Sequence, residues 1–422
     1  MLPIQIIRDQ TDEVVKKLKK KNVDARATID RILALDQERR TTQAENDDLL
    51  AEANQLARSI GDLYKQGKAQ EAEQMKTRSS ELKEQSKTLS EKLDTIEQSI
   101  RDVLVELPNL PHDSVPEGKT PEDNVVVREG GKTPELGDNA MPHWELAEKY
   151  RLIDFGLGNK VTGAGFPVYQ GKGARLQRAL INFFLDRALA EGYEEFQPPI
   201  LVNKDSAFAT GQLPDKEGQM YTAEKDELYV IPTAEVPLTN LWRDMVVETS
   251  QLPIRMVGYT PCFRREAGSY GKDVRGLNRL HQFDKVEIVQ ISHPDQSYEI
   301  LEKMASYVEG LLQALELPYR VLKLCGGDMG FTAALTYDME VYSAAQKRWL
   351  EVSSVSNFES YQANRLKLRF KEDKVNKLAH TLNGSALALP RIVAALLENN
   401  QTEKGIRIPK ALEPYTRFEY VD

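Results

Sequence analysis

Cysteine is scarce in this chain: Cys262 and Cys325 are the only two among 422 residues. Neither lies in a pair with the spacing of metal ligands. We therefore expect no disulfide scaffold and no zinc site. A reducing cytoplasm is the simplest compartment for a chain with this composition.

Long apolar runs and an excess of basic residues are also missing. No stretch is long enough to cross a bilayer, and the N-terminus (MLPIQIIRD) lacks the basic region and apolar core of a signal peptide. The net charge of −9 excludes a generally basic nucleic-acid coat, so any RNA contact must use local patches. The Walker phosphate loop and the Rossmann glycine fingerprint do not occur, so the common nucleotide-binding folds are not indicated. We expect a cytoplasmic protein with no membrane segment.

Proline is absent from residues 27–104, which hold only two glycines, Gly61 and Gly67. Seam positions recur here at alternating steps of three and four, from Ile32 to Leu63 and again from Leu82 to Val103. This period predicts two long helices that pack as an antiparallel coiled-coil arm, with the turn near the two glycines. At about 1.5 Å per residue, each helix would extend roughly 50 Å.

The seam of this arm carries Arg39, Thr42 and Asn46 near its base, where apolar residues would pack better. These side chains weaken the seam and indicate bending or contact with another molecule. The many basic residues on the outer faces are balanced by glutamates, and a charge run of this kind is usually a solvated helical face. A projecting helical arm still calls for a partner.

Three prolines and a glycine in residues 107–118 mark a break after the helices. We predict an N-terminal domain over residues 1–106, with the arm at about 27–104, a linker over 107–120 and a second domain over 121–422. Strand-like runs alternate with amphipathic helices in the second domain, and most neighbouring strands lack crossover helices between them. This texture favours an α+β fold in which helices flank an antiparallel sheet.

The most informative segment is residues 255–289, where two β-runs flank a loop rich in glycine and charge. The pattern predicts a strand–loop–strand hairpin that places Arg264, Glu266 and Phe283 on one surface. An arginine suits a phosphate, a carboxylate suits an amino edge, and a ring suits the face of a base. The segment alone is about equally compatible with an edge hairpin that carries exposed ion pairs.

Three carboxylates and two hydroxyl groups stand out in three other segments. Thr233 and Glu235 lie in a short loop between two prolines, where they could bind an ammonium group or simply cap a helix. Glu287 lies in the middle of an apolar strand, which is costly unless the carboxylate meets a ligand or an ion-pair partner. Glu351 and Ser354 offer hard oxygen ligands suited to magnesium that bridges phosphates.

Arg391 follows Pro390 at the start of an amphipathic helix, after a strand that we expect to end at residues 383–385 (Asn-Gly-Ser). It is either a surface arginine or a guanidinium aimed at a triphosphate.

Together these segments resemble the class II aminoacyl-tRNA synthetases, and specifically the seryl-tRNA synthetase family, over nearly the whole chain. Residues 192–200, 263–283 and 384–391 are similar to the three motifs of the class. Residues 233–235, the 275–287 run, 351–357 and 381–385 are similar to the serine-specific signatures, and the helical hairpin is similar to the arm with which that family grips tRNA.

The resemblance implies a role for each matching residue. Arg264 would bind the ATP α-phosphate and the serine carboxylate, and Arg391 would hold the γ-phosphate, which makes these two the catalytic residues. Glu266 would face the adenine amino edge, while Leu280 and Phe283 would form the adenine wall. The remaining ATP contacts and the serine pocket comprise a larger set: Arg265, Glu351, Val352, Ser353 and Ser354 at ATP, with Glu351 and Ser354 on Mg²⁺, and Thr233, Ala234, Glu235, Glu287 and Ser385 at serine.

The implied reaction is the activation of L-serine with ATP and Mg²⁺, followed by transfer to tRNA(Ser), and also to tRNA(Sec), in a homodimer. Three alternatives stay open: a catalytically inactive paralogue that only binds RNA, a ligase that charges a carrier protein, and a synthetase for a different small amino acid. The inactive paralogue is the main alternative, although Arg264, Glu351 and Arg391 are all present. Carrier-protein ligases lack the long arm.

Overall fold

The computed structural model describes residues 1–137, 139–266 and 275–422. The chain divides into two compact units. The smaller unit comprises residues 2–19 and 23–108, and the larger comprises Met1, residues 20–22 and residues 109–422. Among the residues that the structure describes, no helix combines the length and the apolar character needed to cross a membrane.

The helices, in chain order, are α1 (Ile4–Asp9), α2 (Thr11–Lys20), α3 (Arg26–Lys65), α4 (Ala69–Leu104), α5 (His143–Lys149), α6 (Phe155–Val161), α7 (Gly171–Ala190), α8 (Lys204–Ala209), α9 (Glu235–Asn240), α10 (Ser297–Ala314), α11 (Ser360–Leu366), α12 (Leu389–Asn399) and α13 (Glu413–Thr416).

The strands, in chain order, are β1 (Val125–Gly130), β2 (Ile153–Asp154), β3 (Val168–Tyr169), β4 (Glu194–Glu195), β5 (Leu201–Val202), β6 (Thr222–Ala223), β7 (Leu228–Val230), β8 (Val246–Glu248), β9 (Ile254–Phe263), β10 (Gln282–Ser292), β11 (Tyr319–Lys323), β12 (Leu335–Ser343), β13 (Arg348–Asn357), β14 (Arg369–Glu372), β15 (Val375–Leu378), β16 (His380–Ala388), β17 (Gln401–Thr402), β18 (Gly405–Arg407) and β19 (Tyr420–Val421).

The smaller unit is dominated by α3 and α4, which pair along their lengths as the predicted coiled-coil arm. The turn covers residues 66–68, so Gly61, which we expected near the turn, is helical. A single glycine costs a helix only about 1 kcal/mol, whereas Gly67 has the positive φ of +76° that a turn needs.

One polar residue of the seam, Asn46, is hydrogen-bonded across the arm. Ser86 on α4 donates a 2.7 Å hydrogen bond from its hydroxyl to Asn46 Oδ1 on α3, and both residues are buried. Thr42 is buried nearby, as the heptad pattern predicts. Because Asn46 finds hydrogen-bond partners across the seam, the helices stay paired there without an apolar residue.

The larger unit is built around an eight-stranded sheet in the order β1-β11-β12-β13-β16-β10-β9-β4. Among the described strands of this sheet, all neighbours are antiparallel except β4 and β9, which run parallel. The apolar residues of α7, α10 and α12 join those of the strands in one continuous core. The α+β fold with an antiparallel sheet and flanking helices is confirmed, apart from the parallel edge.

The strand that carries Asn383 and Ser385 is longer than predicted. It does not end at residues 383–385 but runs to Ala388 and leads directly into α12. The reason is that Asn383 and Ser385 both pair with β10 and lie within the sheet. Their side chains therefore belong to a sheet face, not to a loop.

Candidate active site

Strand register brings polar side chains from distant parts of the sequence onto one face of the central sheet. Glu287 on β10 lies opposite Ser385 on β16, and Ser356 on β13 lies opposite Asn383 on β16. Ser354 on β13 lies opposite Asp338 on β12. Because alternate residues of a strand share a face, these positions form a continuous polar surface in the middle of the larger unit.

A buried cluster of polar side chains, which we take as the candidate substrate pocket, lies at the centre of this surface. The Thr233 hydroxyl lies 3.2 Å from Glu287 Oε2, and Lys285 Nζ donates to Thr233 Oγ1 at 2.8 Å. Lys285 also forms an ion pair with Glu287, and all three side chains are buried. The ion pair and the threonine hydroxyl group together offset the cost of burying Glu287.

Glu235 supplies a second buried carboxylate to the same pocket. Its oxygens accept hydrogen bonds from Gln362 Nε2 and Asn383 Nδ2, each at 2.7 Å, and Asn383 also reaches Glu287 Oε1 at 3.2 Å. Burial, and then the nearby charge of Glu287, raise the pKa of Glu235 to about 7. The pocket thus holds two carboxylates and one ammonium group, and it is suited to a further cation.

Local structure around Glu235 differs from a helix capped by Thr233. The helix α9 begins at Glu235 with Ala234 at its N-cap position and no side-chain cap. Thr233 lies one residue earlier, where its hydroxyl accepts a 3.2 Å hydrogen bond from the Glu235 N–H. Ala234 is fully buried and belongs to an apolar cluster of the core.

The predicted hairpin of β9 and β10 is present, and it positions Arg264 and Phe283. The guanidinium carbon of Arg264 lies 5.2 Å from the centre of the Phe283 ring, and the Arg264 N–H donates to His281 O at 2.9 Å. The centre of the predicted loop, residues 267–274, lies outside the described residues. An exposed guanidinium beside a ring is an arrangement that suits a nucleotide.

Glu266 and Arg265 follow Arg264 directly. Glu266 Oε2 lies 2.6 Å from Arg279 Nε, so the carboxylate is paired with a cation of the same hairpin. Arg265 is exposed, and its N–H donates to Gln219 O at 2.9 Å. Leu280 is buried in the core cluster, and Phe283 packs against the same cluster.

Arg391 lies in the first turn of α12 and reaches back over the sheet. Its Nε donates to Asn278 O at 3.0 Å and its Nη1 donates to Glu351 O at 2.7 Å. The Glu351 carboxylate is 3.8 Å from the same Nη1 atom. The arginine is therefore held between the return limb of the hairpin and β13.

A β-bulge places Glu351 and Ser354 on the same side of β13. Met339 pairs with Ser353 and Glu340 pairs with Glu351, which leaves Val352 as an extra residue. Residues three apart in a regular strand face opposite sides, and one extra residue restores them to the same side. Val352 itself enters the apolar core, and Ser353 Oγ donates to Ser385 O at 2.6 Å.

Asp338 is an acidic residue of this face that the sequence did not single out. It lies opposite Ser354, and its Oδ1 atom is buried with no hydrogen-bond partner among the described residues. Burial, and then the charge of Glu351, raise the pKa of Asp338 well above its usual range. An orphaned acceptor beside Glu351 and Ser354 fits a site for a hard cation such as Mg²⁺. In the described part of the chain, no group of three or more His, Cys, Asp or Glu residues is arranged to hold a metal ion by itself.

Sequence reasoning also missed Asn383, Gln362 and the partnership of Lys285 with Glu287. Lys285 and Glu287 are two residues apart on one strand, so alternation alone could have predicted their contact. Gln362 lies on α11, far from the other pocket residues in sequence, and no local pattern points to it.

Comparisons with known proteins show the family to which the chain belongs. Residues 219–400 match the tRNA synthetase class II core domain (G, H, P, S and T), which defines the larger unit as the core of a class II aminoacyl-tRNA synthetase. Residues 1–111 match the seryl-tRNA synthetase N-terminal domain. A serine–tRNA ligase of Salinibacter ruber is 51% identical over 99% of this chain and 98% of its own length. The chain belongs to the seryl-tRNA synthetase family.

Solved structures agree with this assignment. The seryl-tRNA synthetase of Pyrococcus horikoshii, crystallised with ATP, is 36% identical and superposes with a TM-score of 0.91 over 99% of both chains. A cytoplasmic serine–tRNA ligase from Naegleria fowleri, solved with AMP, has the same fold, with a TM-score of 0.88 at 24% identity over 100% of this chain and 99% of that one.

Proposed function

We propose that this chain activates L-serine with ATP and transfers the seryl group to tRNA(Ser). The observation that carries this proposal is the buried pocket of Thr233, Glu235 and Glu287, which lies on the polar sheet face of a chain of this family. Glu235 suits the serine ammonium group, and Glu287 suits the serine hydroxyl. Ser385, opposite Glu287, completes the pocket.

This pocket selects serine without an editing domain. A buried carboxylate that pairs with a substrate hydroxyl is left unpaired when alanine binds, and such a loss discriminates by several powers of ten. Threonine would be excluded by its additional methyl group, which would clash with the buried side chains.

In the first step, a serine carboxylate oxygen attacks the α-phosphorus of ATP and pyrophosphate leaves, which forms seryl-adenylate. The substrate carboxylate is already a nucleophile, so no protein nucleophile is required. Arg264 holds the α-phosphate and the serine carboxylate, with Phe283 and Leu280 against the adenine and Glu266 at its amino edge. Arg391 holds the γ-phosphate, so catalysis rests on positioning and on charge stabilisation.

Glu351 and Ser354 would hold Mg²⁺ together with the ATP phosphates, while Arg265, Val352 and Ser353 would make further contacts with ATP. When bound, the ion would neutralise phosphate charge. The bulge at Val352 and the orphaned oxygen of Asp338 support this assignment.

In the second step, a hydroxyl group of the 3′-terminal adenosine attacks the seryl carbonyl and AMP leaves. The arm of α3 and α4 recognises tRNA(Ser), and tRNA(Sec) as well, by shape and phosphate contacts. The chain works as a homodimer in the cytoplasm. The alternative of an inactive RNA-binding paralogue is not favoured, because Arg264, Glu351 and Arg391 are all present, with Arg264 beside Phe283 and Arg391 in contact with Glu351.

Replacing either arginine tests this assignment. We expect Arg264→Ala and Arg391→Ala each to lower the rate of serine-dependent ATP–pyrophosphate exchange by about 100-fold or more, because each removes a charge that stabilises the transition state. The melting temperature should stay close to that of the parent protein, since both guanidinium groups are partly exposed. Arg407→Ala, which removes an exposed ion pair with Glu316, is the matched control. Near-normal exchange in both active-site variants would refute the roles given to them.

A further inference from the structure

A buried histidine and glutamate lie behind the site, outside the residues assigned to substrates. His143 at the start of α5 and Glu398 near the end of α12 are both fully buried. His143 Nδ1 lies 2.7 Å from Glu398 Oε1, and the His143 backbone N–H donates to the same oxygen at 2.9 Å. Ser343 donates to the other oxygen of Glu398.

The second ring nitrogen of His143 is directed at the hairpin. His143 Nε2 lies 2.9 Å from the backbone nitrogen of Leu277. Because a backbone N–H can only donate, Nε2 must carry a lone pair, and the ring proton therefore lies on Nδ1, where it donates to Glu398. Although burial opposes it, the hydrogen bonds from His143 and Ser343 lower the pKa of Glu398, so the carboxylate is ionised and fixes this tautomer.

The backbone held by His143 is the return limb of the hairpin, residues 275–280. Asn278 in this limb accepts the hydrogen bond from Arg391 Nε through its carbonyl oxygen, and it donates from Nδ2 to Gln346 Oε1 at 3.0 Å. Gln346 in turn donates to Glu398 Oε1 at 2.9 Å. The limb is thus gripped at two successive residues, Leu277 through its N–H and Asn278 through its C=O.

Both contacts depend on α12: Arg391 bonds the limb directly, and Glu398 orients His143, which bonds it from α5. Arg391 and Glu398 are seven residues apart, which places them on nearly the same side of the helix, two turns apart. Gly276 shows how close the contact is, because a Cβ atom built there would lie 2.3 Å from His143 Nε2. Its φ of +66° also favours glycine. The limb has no room to approach His143 with a larger residue.

We propose that His143 is a positioning residue for ATP: oriented by Glu398, it fixes the limb that carries Leu280 and Asn278 and thereby aligns Arg391. This proposal rests on the roles proposed for Arg391 and Leu280. His143 touches neither substrate, so its effect on the reaction passes through the backbone of the limb. Serine binding, which uses Thr233, Glu235 and Glu287, should depend on it little.

Two isosteric variants separate the two bonds of the imidazole. In His143→Asn the amide nitrogen occupies the place of Nδ1 and keeps the bond to Glu398, but nothing reaches Leu277. In His143→Gln the amide oxygen occupies the place of Nε2 and can accept from Leu277. The measurement is ATP–pyrophosphate exchange, with separate KM values for ATP and serine, together with the melting temperature of each variant.

We expect His143→Asn to raise the KM for ATP about tenfold, or to lower kcat by a similar factor, because one buried hydrogen bond to the limb is lost. The KM for serine should change less than twofold, and His143→Gln should restore most of the loss. Gly276→Ala should reproduce the defect, because its methyl group displaces the limb while Glu398 keeps its bonds. Gly276→Ala also keeps the test open if His143→Asn does not fold.

Equal effects on ATP and serine in His143→Asn, or a lowered melting temperature with unchanged kinetics in both His143→Asn and Gly276→Ala, would overturn the proposal. Arg391→Ala, measured in parallel, distinguishes failure of the positioning role of His143 from failure of the proposed phosphate site. If Arg391→Ala loses activity while His143→Asn and Gly276→Ala do not, only the positioning role of His143 fails. If Arg391→Ala is also active, the proposed phosphate site fails and the positioning role fails with it.

Discussion

At the residue scale, the serine pocket is defined by an imbalance of charge. Glu235 and Glu287 are buried together with one cation, Lys285. The ammonium group of a bound amino acid would supply the second cation. Burial of the pocket therefore makes binding sensitive to the protonation of Glu235, whose pKa is raised to about 7.

We predict that the KM for serine rises as the pH falls through 7. A carboxyl with a pKa of about 7 is mostly ionised at pH 8 and mostly protonated at pH 6, and only the ionised form attracts the ammonium group of serine. The KM should increase about tenfold between pH 8 and pH 6, measured by ATP–pyrophosphate exchange. Glu235→Gln should have a high KM that no longer changes over this range. A pH-independent KM in the parent protein would contradict this role of Glu235.

Some of the site residues can be predicted from the sequence and others cannot. Arg264, Glu287 and Glu351 lie in segments whose composition is unusual for their strands or loops, so they could be singled out. Asn383, Gln362 and Asp338 join the same surface only through strand register or through a packed helix. No local pattern encodes which residues become neighbours across a sheet, which is why these three were missed.

At the element scale, regular periodicity predicted the long helices and the main strands, but their ends were less predictable. The turn of the arm is shorter than the predicted region around the two glycines, because Gly61 continues the helix. The strand β16 extends beyond its predicted end at residues 383–385. An Asn-Gly-Ser sequence usually marks a turn, but here it lies in the middle of a sheet. The bulge at Val352 was not predicted, since it depends on pairing with β12.

The N-terminal unit contains a buried carboxylate that joins two of its helices. Asp36 on α3 is 1% exposed and accepts hydrogen bonds from Arg8 on α1 at 2.9 Å and from Arg39 at 3.0 Å. We predict that Asp36→Asn lowers the free energy of unfolding of this unit by roughly 1–3 kcal/mol, because it leaves buried hydrogen bonds to charged groups incomplete.

Urea or thermal denaturation followed by circular dichroism checks this prediction. Asp62→Asn is the control, because Asp62 forms an exposed ion pair with Lys65 and should contribute less than about 0.5 kcal/mol. Equal stability of the Asp36 and Asp62 variants would show that the buried position of Asp36 confers no advantage.

At the scale of the whole molecule, the proposed reaction is divided between the two units: the sheet of the larger unit forms the adenylate and the arm binds tRNA. An arm shortened by two heptads tests this division. Deleting residues 50–63 and 69–82 keeps the turn at residues 66–68 and the register of the seam, and it removes about 21 Å of each helix.

We predict that this shortened protein performs ATP–pyrophosphate exchange at the parent rate but charges tRNA(Ser) about 100-fold more slowly or worse, because it loses phosphate contacts along the arm. Charging by the parent protein should fall steeply as salt is added, whereas exchange should not. Normal charging by the shortened protein would show that the outer half of the arm is not needed for tRNA.

The proposed function requires that this chain activate serine. The most direct measurement is ATP–pyrophosphate exchange with purified protein, Mg²⁺ and each proteinogenic amino acid in turn, without tRNA. We predict exchange with serine alone, at least about 100-fold above alanine and threonine. Exchange with a different amino acid would contradict the pocket assignment, and the absence of exchange with any of them would contradict the claim that the site is catalytic.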